Sequence, residues 1–196
     1  EEQKVYDQVL EPAEGVENRD LAAAQAAADF LHSKPAEPWF LWLGLFYPHR
    51  QFLNPDPARH RPEDIKVPDP LPDTPENRVD MAGYHASVEI TDQALGIALD
   101  ALAASGQAEE TLVILTTDHG IAFPDMKCSL TAHGTGITWV MQYPGMAPGR
   151  ACDALVSHLD LLPTVMDLLD LPLTEGLHGS SLRPLLESPE SPPPRE

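Results

Sequence analysis

Basic residues, cysteine and aromatic rings are all scarce in this sequence, and each scarcity closes off a class of function. Twelve Lys and Arg stand against 31 Asp and Glu, a net charge of −19 with His neutral. Such a chain lacks the basic face that nucleic-acid phosphates demand, so no nucleic-acid partner is expected. A strongly anionic polymer fits as poorly. A small basic pocket within the acidic body still suits a small anion, because the charges lining a cleft decide binding there. The only cysteines, Cys128 and Cys152, make no disulfide framework, so they do not reveal the compartment, and the sequence leaves open whether they pair. The apolar run at 39–47 is far shorter than the roughly 20 residues needed to cross a bilayer, so no membrane span is expected. The chain begins at Glu1 and its first methionine is Met81, as expected of a processed or excised chain, so the absence of a leader at Glu1 says little.

What the chain does contain is enough apolar material for a core, 42% of residues, and 21 prolines that cluster at 55–75 and 189–194. These clusters mark irregular connections rather than a repeat. Asn18 or Asp20 can cap an Ala-rich helix over 21–31, which Lys34-Pro35 ends. Residues 38–46 are apolar without alternation and read as a strand buried on both faces. A proline-rich excursion follows at 47–77, long enough to imply function or mobility. Residues 79–104 predict the longest helix. Ala82, Ala86, Ile90, Ala94, Ala98 and Leu102 form its buried stripe, Val88, Leu95 and Leu99 widen it, and Gly106 stops it. Strands are predicted at 111–116 and 136–142, a helix at 157–171, a short helix at 181–186, and a disordered tail at 188–196. The order is that of an α/β fold with crossover connections.

The chemistry-bearing residues sit where apolar runs end. Asp118-His119-Gly120 follows one predicted strand, at the edge where open α/β sheets build their sites. Asp suits hard cations, and His suits softer metals or an anionic oxygen. On its own the triplet fits a plain turn as well. His49 and Arg50 follow the other strand and offer a ring nitrogen and a guanidinium fork for a tetrahedral anion, although a solvated loop would read the same way. Lys127, nine residues after Asp118, could add a point charge or simply be solvated.

Taken together, the order of these segments is more specific than any one of them. A strand ending in Pro48-His49-Arg50, a long helix, then Thr117-Asp118-His119-Gly120, Lys127, a strand ending in Tyr143-Pro144-Gly145, Ser157-His158-Leu159-Asp160 and Gly179-Ser180-Ser181-Leu182 resembles the sulfatase branch of the alkaline-phosphatase superfamily. The run Leu71-Pro72-Asp73-Thr74-Pro75, with Arg78-x-Asp80, Asp92-Gln93 and Gly120-Ile121-Ala122-Phe123-Pro124, is similar to its heparan N-sulfatase branch. The resemblance covers about 20–186 and implies an alkaline-phosphatase-like three-layer α/β sandwich with a mostly parallel central sheet, residues 1–187 being the C-terminal part of a catalytic domain. It further implies that Asp118 and His119 are metal ligands for Ca2+ or another divalent cation. His49 and Lys127 would hold the sulfate and assist the leaving group, with Arg50 beside them, and the substrate would be a small sulfated molecule such as a sulfated sugar.

The sequence departs from the family at its nucleophile. That group is a formylglycine made in a Cys/Ser-x-Pro-x-Arg motif; neither Cys128 nor Cys152 begins one, Ser33-Lys34-Pro35-Ala36-Glu37 lacks the Arg, and the early aspartate pair is also missing. Ala132-His133-Gly134 is a second departure, where relatives often carry an acidic residue or Pro. Truncation accounts for the first: the N-terminal portion would supply the nucleophile, the chain alone is expected to be inactive, and its open sheet edge is expected to promote self-association. The other readings are a phosphodiester or phosphonate monoester hydrolase of the same superfamily, and a non-catalytic binding protein on a decayed sulfatase fold.

Overall fold

Two capped helices rich in small residues organise the first part of the chain. The computed structural model describes residues 7–146, 149–188 and 190–193. Helix α1 (Arg19–His32) starts on Asn18, whose side chain accepts the amides of Asp20 at 3.0 Å and Leu21 at 3.2 Å. Helix α2 (Pro75–Ser105) starts on Thr74, which accepts the Asn77 amide at 3.3 Å. Pro75 takes the first helical position, where no amide donor is needed. Gly106 ends α2 in the left-handed region at φ 82°, which costs a residue without Cβ nothing. The two helices pack on each other, and Ala22, Ala24, Ala27 and Ala28 of α1 and Ala86, Ala94 and Ala101 of α2 are all buried. Val88 and Leu99, predicted to widen the apolar stripe of α2, are exposed instead, because the contact runs along the narrow alanine ridge.

The chain divides into two units, Glu1–Val140 and Met141–Glu196. The first has two cores. One joins Ala28, Leu31, Ala101 and Leu102, with Trp39, Leu41 and Val113 against them. The other joins Ile65 and Leu71 of the proline-rich excursion to Met81 and Ala82 of α2 and to Phe123 and Met126. The excursion is thus a packed covering of α2. Arg78 braces it, donating from Nε and Nη2 to Asp73 at 2.5 and 2.6 Å and from Nη1 to the Glu63 carbonyl at 3.0 Å. Ser87, fully buried, accepts the Leu53 amide at 2.9 Å and donates to the Gly83 carbonyl.

Strand β1 (Val113–Thr116) pairs with β2 (Trp139–Gln142) after a four-residue helix α3 (Ala132–Thr135), so the sheet among the described residues has two strands. Thr117 lies opposite Thr138, donating its amide to that carbonyl at 3.3 Å. Residues 38–46, predicted as a strand buried on both faces, are in no ladder, and Phe40 and Trp42 are 73% and 66% exposed. Apolar residues on both faces with only one face covered leave that prediction half met. The mostly parallel central sheet is likewise absent from the described residues.

In the second unit, Ser157 and Asp160 form a reciprocal cap around the turn His158–Asp160 that leads into α4 (Leu161–Leu168). Pro163 sits in the first turn of α4, where no amide donor is needed, and α4 is shorter than the predicted 157–171. Asp160 is fully buried: its carboxylate accepts the amides of Ser157 at 2.8 Å and Ser180 at 2.9 Å. Thr164 donates to the Asp160 carbonyl and accepts the Leu182 amide, which fixes the approach to α5 (Arg183–Glu187). Gly179 is required there, since a Cβ would stand 1.8 Å from the Leu159 carbonyl oxygen. Neither Cys128 nor Cys152 is in a disulfide. The predicted tail at 188–196 lies outside the described residues at 189 and 194–196, as does the start of the polar stretch 1–17, at 1–6.

One consequence concerns acid stability. Burial on α2, and then the neighbouring His60, hold His85 below the usual histidine range. The folded state therefore binds fewer protons than the unfolded chain, whose histidines titrate near about 6.5. The neutral ring costs nothing above that pH, and stability falls as the pH drops from there toward the lowered folded value. Urea midpoints at pH 7.5 and 5.5 should fall less on acidification in His85→Gln than in the natural chain; equal drops in both would remove His85 as the cause.

Candidate functional site

A buried carboxylate sets the position of the first candidate segment. Asp20 is 1% exposed, and its two oxygens accept the Phe46 amide at 3.0 Å each, with Oδ2 also accepting the Tyr47 amide at 2.7 Å. Charge-assisted bonds of this kind offset the desolvation of the carboxylate. The first turn of α1 favours a negative charge as well, and Arg19 Nε lies 3.8 Å away. The end of the extended segment is thereby pinned where it turns into Tyr47-Pro48-His49-Arg50. Asp20 reads in the sequence only as a possible cap; nothing in a local pattern reveals a partner 26 residues away.

The turn opens onto a cleft of about 560 Å³ lined by His49, Arg50, Asn77, Asp80, Phe123, Lys127 and Cys128, among others. Three predicted residues, His49, Arg50 and Lys127, thus meet. His49 Nδ1 lies 2.5 Å from the Arg50 carbonyl, which can only accept, so Nδ1 carries the proton and Nε2 is left for a ligand. The ring leans on Phe46 at 5.0 Å. Arg50 reaches the cleft already engaged. Its Nε donates to the Ala122 carbonyl at 2.6 Å, Nη1 donates to Asp80 at 3.0 Å, and Nη2 bonds the other Asp80 oxygen. Its guanidinium lies 4.4 Å from the Phe52 ring centre and 4.8 Å from that of Phe123. Three of its five N–H groups are used, and two remain. Asp80 and Asn77 are cleft residues to which the sequence assigned no role.

Lys127 is carried by a tight loop after β1. Its amide donates to the Ile121 carbonyl at 3.1 Å, and Asp125 and Cys128 flank the segment with φ of 60° and 66°. Non-glycine residues there cost roughly 1–3 kcal/mol each and persist only where surroundings enforce them. Thr131 and Ser129 do so, both donating to the Asp125 carbonyl at 3.1 Å. Cys128, set aside as a nucleophile on sequence grounds, lies at the cleft, exposed.

Asp118 and His119 stand directly after β1 but are not among the residues lining the cleft. Asp118 has 84% of its side chain exposed. His119 Nδ1 donates to the Gly120 carbonyl at 2.7 Å, and Nε2 lies 3.2 Å from Asp118 Oδ2, an ion pair when the ring is protonated and two acceptors side by side when it is neutral. Two acceptors at that separation suit a shared cation. They form only part of a shell, because no group of three or more His, Cys, Asp or Glu side chains able to hold a metal occurs among the described residues and calcium takes roughly six to eight oxygens. Gly120 holds the pair in place by lying under α3: its amide donates to the Gly134 carbonyl at 3.0 Å, and a Cβ on it would come 1.7 Å from the His133 oxygen.

A family model described as Sulfatase matches residues 3–171. Human N-sulphoglucosamine sulphohydrolase is 33% identical over 193 residues, covering 81% of this chain and 38% of that protein. Arylsulfatase K of Danio rerio is 35% identical over 109 residues, covering 54% of this chain and 21% of its own length. A phosphonate monoester hydrolase from Silicibacter pomeroyi superposes with a TM-score of 0.70 at 22% identity, covering 84% of this chain and 41% of that one, a likeness of fold alone. The chain therefore spans less than half the length of these relatives.

Two substitutions probe the scaffold. Asp20→Ala leaves the Phe46 and Tyr47 amides without an acceptor and should cost about 1–3 kcal/mol in urea unfolding, with amide shifts concentrated at 46–50. Gly120→Ala should cost a similar 1–3 kcal/mol by overpacking against backbone. A loss under about 0.5 kcal/mol in either would show that the site does not depend on that contact.

Proposed function

The chain belongs to the sulfatase family, and from that membership we propose that it forms the sulfate-gripping part of a sulfuric ester or sulfamate hydrolase. The observation that carries this reading is the meeting of His49 and Lys127 on one cleft, although they lie on segments far apart in sequence. The Lys127 ammonium offsets the negative charge of a tetrahedral anion. His49 donates from Nδ1 to the Arg50 carbonyl, and its Nε2 donates to an oxygen of that anion or to the leaving group when the ring carries a second proton. Asp118 and His119 would hold a divalent cation, Ca2+ by the family resemblance, whose chemistry is to neutralise sulfate oxygens. The nucleophile, a formylglycine by that resemblance, would come from sequence outside these residues, because neither Cys128 nor Cys152 begins a Cys/Ser-x-Pro-x-Arg and the one match to that pattern, Ser191-Pro192-Pro193-Pro194-Arg195, lies in the proline-rich tail beyond the matched residues 3–171.

The same reading makes residues 1–187 part of an alkaline-phosphatase-like three-layer sandwich, with the extended segment 39–46 and β1 in its central sheet. The exposed face at Phe40 and Trp42 then has a reason, and self-association of the isolated chain through it follows. As substrate we propose a small sulfated sugar, in line with the name of the human relative, N-sulphoglucosamine sulphohydrolase.

The test is sulfate release from glucosamine 2-sulfamate and from an aryl sulfate by a gene product that includes this chain and its upstream sequence. Lys127→Ala and His49→Ala should each lower kcat/KM by about 10²–10⁴, and the 196-residue chain alone should release none. Turnover of a phosphonate monoester but of neither sulfated compound would transfer the assignment to phosphonate hydrolysis, and turnover by the chain alone would refute the division of the site.

A further inference from the structure

The cleft holds more than an anion needs. Opposite charges meet in it as a fixed pair, Arg50 with Asp80, and the pair is held from three sides. The Ala122 carbonyl takes Arg50 Nε, the rings of Phe52 and Phe123 cover the guanidinium, and α2 carries Asp80. A group serving only to bind sulfate would be left with its charge uncompensated. Here the charge is compensated, while hydrogen-bonding capacity remains: two N–H groups on Arg50 and the second lone pairs of the Asp80 oxygens. Both side chains are well over a third exposed and line the cleft beside Lys127. Donors and acceptors side by side on a rigid, net-neutral edge match neighbouring hydroxyl or amide groups on a saturated ring, each of which both donates and accepts.

We propose that the Arg50–Asp80 pair is a specificity-determining subsite that reads the ring hydroxyls of a sulfated sugar next to the sulfate held by His49 and Lys127. The inference rests on the sulfatase reading and adds to it which residues distinguish a sugar from any other sulfated ring. It also assigns a role to Asp80, whose carboxylate disfavours a second anionic group at that position.

Three probes separate the possibilities in calorimetric titrations of the chain: inorganic sulfate, cyclohexylsulfamate and glucosamine 2-sulfamate. The last two share a ring and a sulfamate and differ in hydroxyls. The natural chain should bind glucosamine 2-sulfamate about tenfold more tightly than cyclohexylsulfamate, the factor that a net charge-assisted hydrogen bond contributes. In Asp80→Asn the preference should vanish, while cyclohexylsulfamate binds at least as tightly as to the natural chain, which also reports that the cleft is folded. Asp80→Glu, keeping the charge but moving it by one methylene, should retain part of the preference. No preference in the natural chain, or one undiminished in Asp80→Asn, overturns the subsite while leaving the sulfatase reading intact. Failure of all three probes to bind overturns the reading itself and the subsite with it.

Discussion

One guanidinium ties the cleft together. Arg50 joins its own turn to α2 through Asp80 and to the loop after β1 through the Ala122 carbonyl, so one side chain bonds three segments at that point. The two aromatic rings lie over the guanidinium while the pair itself stays more than a third exposed, so its part is to fix geometry rather than to add much stability. Phe52 and Phe123 stack on each other at 5.5 Å and reach into the core beside α2, so the pair is continuous with packing that the whole first unit depends on. Site geometry and core packing are therefore one problem for this chain: loosening either end of Arg50 moves His49 on one side and the Lys127 loop on the other.

Asp20 plays the matching part from the opposite direction. A residue in the first turn of α1 fixes the backbone just before His49, so the helix that contributes no functional side chain still determines where one stands. Buried carboxylates recur in this role, as Asp160 shows by holding Ser180 in the second unit. In both cases a short acidic side chain replaces the missing partners of backbone amides at an irregular bend, where no ladder or helix can supply them.

Periodicity and end signals made the helices legible, with Gly106 ending α2 and Asn18 capping α1, although the predicted start of α2 at 79 misses the Thr74-Pro75 cap, which lies inside the proline-rich excursion. Order of motifs made His49, Arg50 and Lys127 legible as companions. What stayed hidden was pairing over distance. The segment 38–46 reads as a doubly buried strand because its side chains are apolar on both faces, yet burial depends on neighbours that the segment itself cannot name, and Phe40 and Trp42 lie open. The length of the proline-rich excursion implied function or mobility; Arg78, Ile65 and Leu71 anchor it through side chains that carry no periodic signal. Arg50 looked like a free anion fork, since nothing in its local sequence points to Asp80, 30 residues away.

The electrostatics follow from the same pairing. A body at −19 should repel an anion, and at long range it does. Within the cleft the count is different: Arg50 and Lys127 give +2, Asp80 gives −1, and the sum is +1 with His49 neutral. Screening confines the surrounding negative charge to about 8–10 Å at ordinary salt, so a small anion that enters meets mainly the local +1, while a polyanion extending past the rim meets the acidic surface. Without Asp80 the cleft would stand at +2 and hold a single sulfate more firmly, with less discrimination by what the sulfate is attached to. Retaining an acid beside the anion's seat is unfavourable for grip alone, and it makes sense where selection depends on the uncharged part of the molecule.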